Sequence, residues 1–347
     1  MTGDAMTGDA MTGDAMTGGA MTGGAMTGGA MTGGVPHPDG GRIVFAAIAP
    51  HGELAIPEAC SPESAGLAAA TQRGMAELAL RFDAASPDAV VVLTPHGVHV
   101  ESRFAVVTSA RAAGSLEEAP QVRLDVPVDR PLGLAVLASL GGAGLPASGV
   151  SFGGNDPSEA VFPLDWGSLI PLWYLGGRHD PAVPVVVVAP ARELSAEAHV
   201  AAGTAIALAV ATSGRRVALV ASADQAHAHS IDGPYGYDPA AARFDELVVG
   251  LIRDDHLDRL PALDPGLIAD ARPDSWWQML MLLGALEPDR AHEAAGPGEL
   301  GPDGAREVAG SGQVAGQRWR PELLSYEVPT YFGMLCAAFE PEPREAP

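Results

Sequence analysis

Beyond residue 41 the chain alternates short runs of branched aliphatic residues with longer stretches rich in Ala and Leu. The spacing predicts strands over 43–49, 89–94, 104–108, 185–189 and 217–222. Near-continuous runs such as Val185-Val186-Val187-Val188 suit strands covered on both faces. Between them, Ser61-Pro62 reads as an N-cap followed by Pro at the first helical position, with Leu67, Met75, Leu78 and Phe82 on one face of the helix that follows. A second helix is expected over 194–213, a third through Phe244, Leu247, Val248 and Leu251, and a fourth through Trp276, Met279, Leu280 and Leu283. A last helix should start near Pro329, with Phe332, Leu335, Cys336 and Phe339 inward. Strands alternating with helices predict an α/β fold: a mainly parallel central sheet with helices on both faces, in a single domain over 42–340.

The ends do not share this pattern. Residues 1–34 repeat Met-Thr-Gly-Asp-Ala and then Met-Thr-Gly-Gly-Ala, without an aromatic or branched aliphatic residue. Such a tract buries too little apolar surface to offset its ordering entropy, so residues 1–41 are expected to be a disordered repeat and linker. The Gly/Pro-rich stretch 287–317 reads as a long surface loop, and 341–347 as a flexible tail.

Charge and composition then narrow the chemistry. The chain has 347 residues and a net charge of −23, with 20 basic residues, all of them Arg. Without Lys there is no P-loop lysine and no Schiff base. A strongly acidic chain with no basic block is not expected to bind nucleic acid or an anionic membrane. Two Cys, Cys60 and Cys336, make neither a disulfide framework nor a Cys-ligated zinc site. No apolar stretch reaches bilayer length without interruption, and a cytoplasmic location is expected.

Open α/β sheets place their sites beyond the carboxyl ends of strands. Three of the five predicted strands deliver a His there: Pro50-His51-Gly52, Pro95-His96-Gly97-Val98-His99, and Asp224-Gln225-Ala226-His227-Ala228-His229. Any one of these alone would read as a hydrogen-bonded loop or core histidine, but three together favour a site. Imidazoles with one carboxylate suit non-haem Fe(II), and zinc can use the same set. Glu53, Asp165, Asp224 and Glu327 are all candidates for the carboxylate. The turn Pro234-Tyr235-Gly236-Tyr237 beside His227 is a candidate pocket wall.

These motifs, with Pro163-Leu164-Asp165-Trp166-Gly167, Asp274-Ser275-Trp276-Trp277-Gln278-Met279-Leu280 and Tyr326-Glu327, carry a resemblance. The chain from Arg42 to Phe339 resembles the class III extradiol ring-cleavage dioxygenases, the superfamily of the protocatechuate 4,5-dioxygenase catalytic subunit. The resemblance implies an Fe(II)-dependent cleavage of a catechol-type ring by O2. His51, His96 and Glu327 would be the metal ligands and His227 the acid/base, with His99, Asp165, Trp166, His229 and Tyr235 around the substrate. The expected partners are a small aromatic diol, O2 and further copies of the chain. A Memo-like metal-binding scaffold without ring cleavage is the alternative, and a zinc hydrolase the next. Two departures bear on the substrate. Family members often carry a His at Trp166, and Gly-Asp-Leu-Ser-His is replaced by Ala223-Asp224-Gln225-Ala226-His227. With no Arg next to the motifs of His51, His96, His227 and Glu327, and Arg103 near His99, a neutral or modestly polar diol is expected over a di-acid.

Overall fold

A computed structural model describes residues 40–287 and 317–343. The repeat tract, most of the 287–317 loop and the last four residues lie outside the described residues.

Four strands predicted from their Val and Ile runs form the centre of the fold. They are β1 (Arg42–Ala49), β2 (Ala89–Leu93), β8 (Val185–Ala189) and β9 (Arg216–Ser222), paired in parallel in the order β1-β9-β2-β8. Alternate residues feed two cores. Ala46, Ile48, Val91 and Leu93 enter one, whereas Phe45, Ala47, Val90 and Val92 enter the other. Side chains of a strand point alternately to the two faces, so both faces must be covered.

The sheet is mixed at its flanks. On one side β3 (Phe104–Val107) runs antiparallel to β8 and then pairs in parallel with β6 (Ala147–Val150). On the other, β11 (Met334–Pro341) runs antiparallel to β1 and is itself edged by β10 (Trp319–Glu327). A separate three-stranded sheet, in the order β5-β4-β7, is built from β4 (Arg111–Ser115), β5 (Arg123–Pro127) and β7 (Val161–Pro163).

The strand β11 replaces the helix expected after Pro329. Phe332, Leu335, Cys336 and Phe339 have helical spacing, but they lie in a continuous apolar run, Met334-Leu335-Cys336-Ala337-Ala338-Phe339, that is buried throughout. A short run of that kind fits a buried strand as well as a buried helix. The unpaired edge of β1 decides between them, because its N–H and C=O groups need partners.

Helices cover both faces: α1 (Ala69–Ala85), α2 (Arg130–Gly142), α3 (Trp166–Tyr174), α4 (Ala196–Ser213), α5 (Pro239–Arg253), α6 (Pro265–Ala271) and α7 (Trp276–Leu286). Side chains of Asp129, Asp165, Ser195, Asp238 and Asp264 cap α2 to α6 in turn. α1 begins eight residues after Ser61, at Ala69, and the preceding Ala68 can offer its helix no side-chain acceptor. Leu67, expected on its inner face, is exposed. Among the described residues α4 alone is long and apolar enough to cross a membrane, and half of that apolar stretch is buried inside the protein. It packs against α7 so closely that a Cβ on Gly203 would collide with the Met281 carbonyl.

His199 of α4 is fully buried, with its Nδ1–H donating to Ser195 O at 2.8 Å and its ring edge-on to Phe104. Burial holds its pKa below the ordinary 6.5, against the opposing pull of Ser195 O and Glu193. The unfolded chain therefore takes up a proton, as pH falls below 6.5, that the folded chain refuses, so stability drops on acidification. His199→Leu is expected to flatten that loss between pH 7 and 5 by up to about 1.4 kcal/mol per pH unit, read from urea midpoints. An unchanged slope would refute the assignment.

Candidate active site

The ends of β1, β2 and β9 meet the start of α7 at the floor of a cavity of about 1250 Å³. His51 follows β1, His96 follows β2, and Asp224 and His227 follow β9, as strand-end placement predicts. Nε2 of His51 lies 3.1 Å from Nε2 of His96, and both lie close to Oδ2 of Asp274, at 3.1 and 3.2 Å. His227 Nε2 stands 3.9 Å from the same carboxylate oxygen.

Neighbouring groups orient each of these side chains. Ser222 Oγ donates to the Gly167 carbonyl, so its lone pair accepts the Nδ1–H of His51 at 2.9 Å and leaves Nε2 to face the cluster. Asp274 Oδ1 accepts the Asp224 N–H at 3.2 Å, which turns Oδ2 toward the imidazoles. The Gln225 carbonyl can only accept, so His227 donates from Nδ1 at 2.8 Å and keeps Nε2 for proton exchange. Gly97 adopts φ +82°, and a Cβ there would strike the Asp165 carboxylate. The Pro-His-Gly turn after β2 therefore needs its glycine.

The electrostatics favour a cation. His51 is buried, which disfavours its charge, yet Asp224 and Asp274 outweigh burial and raise its pKa to about 9. Burial pushes Asp224 up to about 6 against the pull of His51. Asp274 is held well below the usual carboxylate range, because His51, His96 and His227 together override its burial. Two imidazole nitrogens and a carboxylate oxygen, mutually within 4.8 Å, suit a metal ion, which would take the place of the proton that the two acids draw to His51.

The other expected residues divide. Trp166 lines the cavity with its ring 4.6 Å from that of His96, and Tyr235 lines it 5.9 Å from His227. Asp165 caps α3 through Ser168 N–H and accepts from Thr94 Oγ1, and it is not part of the cavity lining. His99 is exposed and pairs with Glu193. His229 turns away from the cavity to bond Asp245 Oδ2 at 2.8 Å.

Glu327 is not brought to the two histidines. Its Oε1 accepts the Thr71 N–H at 2.6 Å, supplying from β10 the cap that α1 lacks at Ala68. The first N–H groups of a helix have no partner within it, and a carboxylate there is further favoured by the helix dipole. Asp274 takes the place beside the histidines. Its position just before the apolar helix α7 suggests a cap, so only the motif containing it pointed to a site.

Arginine placement also differs from the sequence expectation. Arg103, near in sequence, donates to Ser148 Oγ and Ala147 O instead. Arg192 and Arg272 line the cavity, with the Arg192 guanidinium 4.7 Å over the Trp277 ring.

Comparison with known proteins agrees with this architecture. The chain is 24% identical over 244 residues to a protein of Clostridium acetobutylicum, a match covering 69% of this chain and 51% of that one. It thus spans about half the length of that relative. A crystal structure of an uncharacterized protein from Escherichia coli superposes with a TM-score of 0.52 at 17% identity, covering 85% of this chain and 99% of the other, which supports the fold. A family model described as the catalytic LigB subunit of aromatic ring-opening dioxygenase matches residues 45–299, a span that includes His51, His96, His227 and Asp274 but not Glu327. The chain belongs to this LigB family of aromatic ring-opening dioxygenase subunits.

Proposed function

We propose that this protein opens the ring of an aromatic diol beside its two hydroxyls, placing both atoms of O2 in the product, with Fe(II) held by His51, His96 and Asp274. The observation that carries this reading is the convergence of two imidazole nitrogens and one carboxylate oxygen at the floor of an aromatic-lined cavity. Bound Fe(II) would supply a Lewis-acidic, redox-active centre with open positions for diol and O2.

The chain's own groups have distinct tasks. Ser222 keeps His51 Nε2 free to ligate, and Asp224 N–H keeps Asp274 Oδ2 turned toward it. His227 accepts a proton from a substrate hydroxyl at Nε2 and later returns it. Its ring stacks on Phe332 at 5.2 Å, and Phe332, Tyr331 and Trp166 give the ring-binding space aromatic walls. Arg192 and Arg272 favour a diol bearing an anionic substituent over the neutral diol expected from sequence spacing.

Anaerobic loading with Fe(II), followed by O2 and a panel of catechols and aminophenols, tests the reading. A ring-fission chromophore with one O2 consumed per substrate is expected. Metal binding with no turnover of any member would favour the Memo-like scaffold, and zinc-supported, O2-independent hydrolysis would favour a hydrolase. Replacing both arginines, Arg192→Gln with Arg272→Gln, is expected to raise KM for an acidic diol about tenfold with little change in kcat, as loss of a charged hydrogen bond does. KM for the matching amide should stay put. Equal effects on acid and amide would remove the anion from the assignment.

A further inference from the structure

We propose that Asp245, which lies outside the cavity lining, is the positioning residue that aims His227 into the site; the inference rests on the acid/base role given above to His227. Asp245 sits on α5 with its side chain wholly buried. Its Oδ1 accepts the Ala226 N–H at 2.8 Å, and its Oδ2 accepts from His229 Nε2 at 2.8 Å and from the Tyr326 hydroxyl at 2.7 Å. Ala226 and His229 bracket His227 in the chain, so one carboxylate grips the backbone before it and the side chain after it.

The rest of the segment follows the same plan. Gln225 N–H donates to Gly333 O at 2.8 Å, Gly333 N–H to Ala226 O at 3.1 Å, and His229 N–H to Tyr331 O at 3.2 Å. Residue 333 passes so near Asp245 that a Cβ there would overlap Oδ2, which only glycine avoids. His227 itself is tied by its N–H to Ala271 O at 3.0 Å. The segment 224–229 is therefore a strap laid between 331–334 and the end of α6, with Asp245 as its central fastening. Burial and the adjacent Asp245 carboxylate push the Tyr326 hydroxyl's pKa well above its ordinary value, so the phenol stays protonated and keeps donating. Because a buried carboxylate must have its acceptor sites filled, the three donors and the acid hold each other in place.

None of the three ligands His51, His96 and Asp274 hydrogen-bonds to Asp245. The clamp should thus govern His227 while sparing the metal. Asp245→Asn keeps the shape but offers one acceptor oxygen to three donors, and Tyr326→Phe removes a single donor. The experiment measures bound metal, kcat and KM for Asp245→Asn, Tyr326→Phe, His227→Ala and the doubles combining each of the first two with the third.

Full metal occupancy is expected, with kcat reduced about 10- to 100-fold in Asp245→Asn and less in Tyr326→Phe, since sub-ångström misplacement of a reacting group costs rates of this order. In the His227→Ala background neither change should lower kcat further, because residues acting through one group are not additive. A second readout needs no turnover. In the zinc-loaded protein, the His227 ring-proton NMR signal, identified by its loss in His227→Ala, should move in Asp245→Asn while those of His51 and His96 stay. If Asp245→Asn does not fold, Tyr326→Phe carries both measurements. Losses that multiply in the doubles, or an unmoved His227 signal, would overturn the clamp. A moved signal in a protein that opens no ring would instead overturn the proposed function and leave the clamp standing.

Discussion

Asp274→Ala is expected to strip the site of metal and reduce ring opening to background, whereas Glu327→Gln should keep both. The two acids have exchanged the roles that their sequence contexts suggest. Asp274 Oδ2 lies 3.1 and 3.2 Å from the Nε2 atoms of His51 and His96, and removing it takes away the carboxylate of the proposed ligand set. Loss of a tuning partner alone typically costs 10- to 100-fold in metal affinity, so loss of the ligand should cost at least about 100-fold. Metal content after dialysis and O2 uptake measure both effects. Glu327 accepts one helix N–H at 2.6 Å, which the Gln amide oxygen can still accept, so only the charge at the helix start is lost, at about 0.3–1 kcal/mol and a few degrees of thermal midpoint at most. Metal loss in Glu327→Gln, with retention in Asp274→Ala, would reverse the assignment.

His227→Ala should leave the metal bound and lower kcat by about 10²- to 10⁴-fold, the usual contribution of a positioned acid/base. His227 Nε2 stands 3.9 Å from the carboxylate oxygen that joins the two histidines, outside the tight cluster yet facing the same cavity. Its Nδ1–H is committed to Gln225 O, so Nε2 alone can exchange protons with a substrate. KM should change less than kcat, because Phe332, Tyr235 and Trp166 still line the binding space. A variant that loses metal would make His227 a ligand. A variant with unchanged kcat would leave proton transfer to solvent.

Much of the site was legible because strand-end histidines are a local signal. A Val/Ile run, then Pro-His-Gly, places an imidazole at the carboxyl edge of a parallel sheet whatever the rest of the chain does. In this way the sequence places His51, His96 and His227 at the cavity, along with the four central strands and the buried face of α7, whereas on α5 Phe244 and Val248 are buried but Leu247, expected beside them, is exposed. Trp166 came from the family resemblance and Tyr235 from the turn beside His227, and both line the cavity. His99 and His229 carry the same sequence signal, yet each is taken up by an acid from elsewhere, Glu193 and Asp245.

What the sequence by itself determined is therefore the α/β alternation, the central strands and the histidines at their ends, because each depends on contacts between near neighbours in the chain. Only the tertiary structure decided the last strand, the carboxylate and the arginines. The run Met334–Pro341 became a strand because β1 offered it an unpaired edge. Glu327 was drawn 256 residues away to a helix start that had no acceptor of its own. Asp274, freed from capping α7, turned to the imidazoles because Asp224 N–H held its other oxygen. In each case a buried polar group had to find its partner, and which partner lay within reach was set by packing rather than by spacing along the chain.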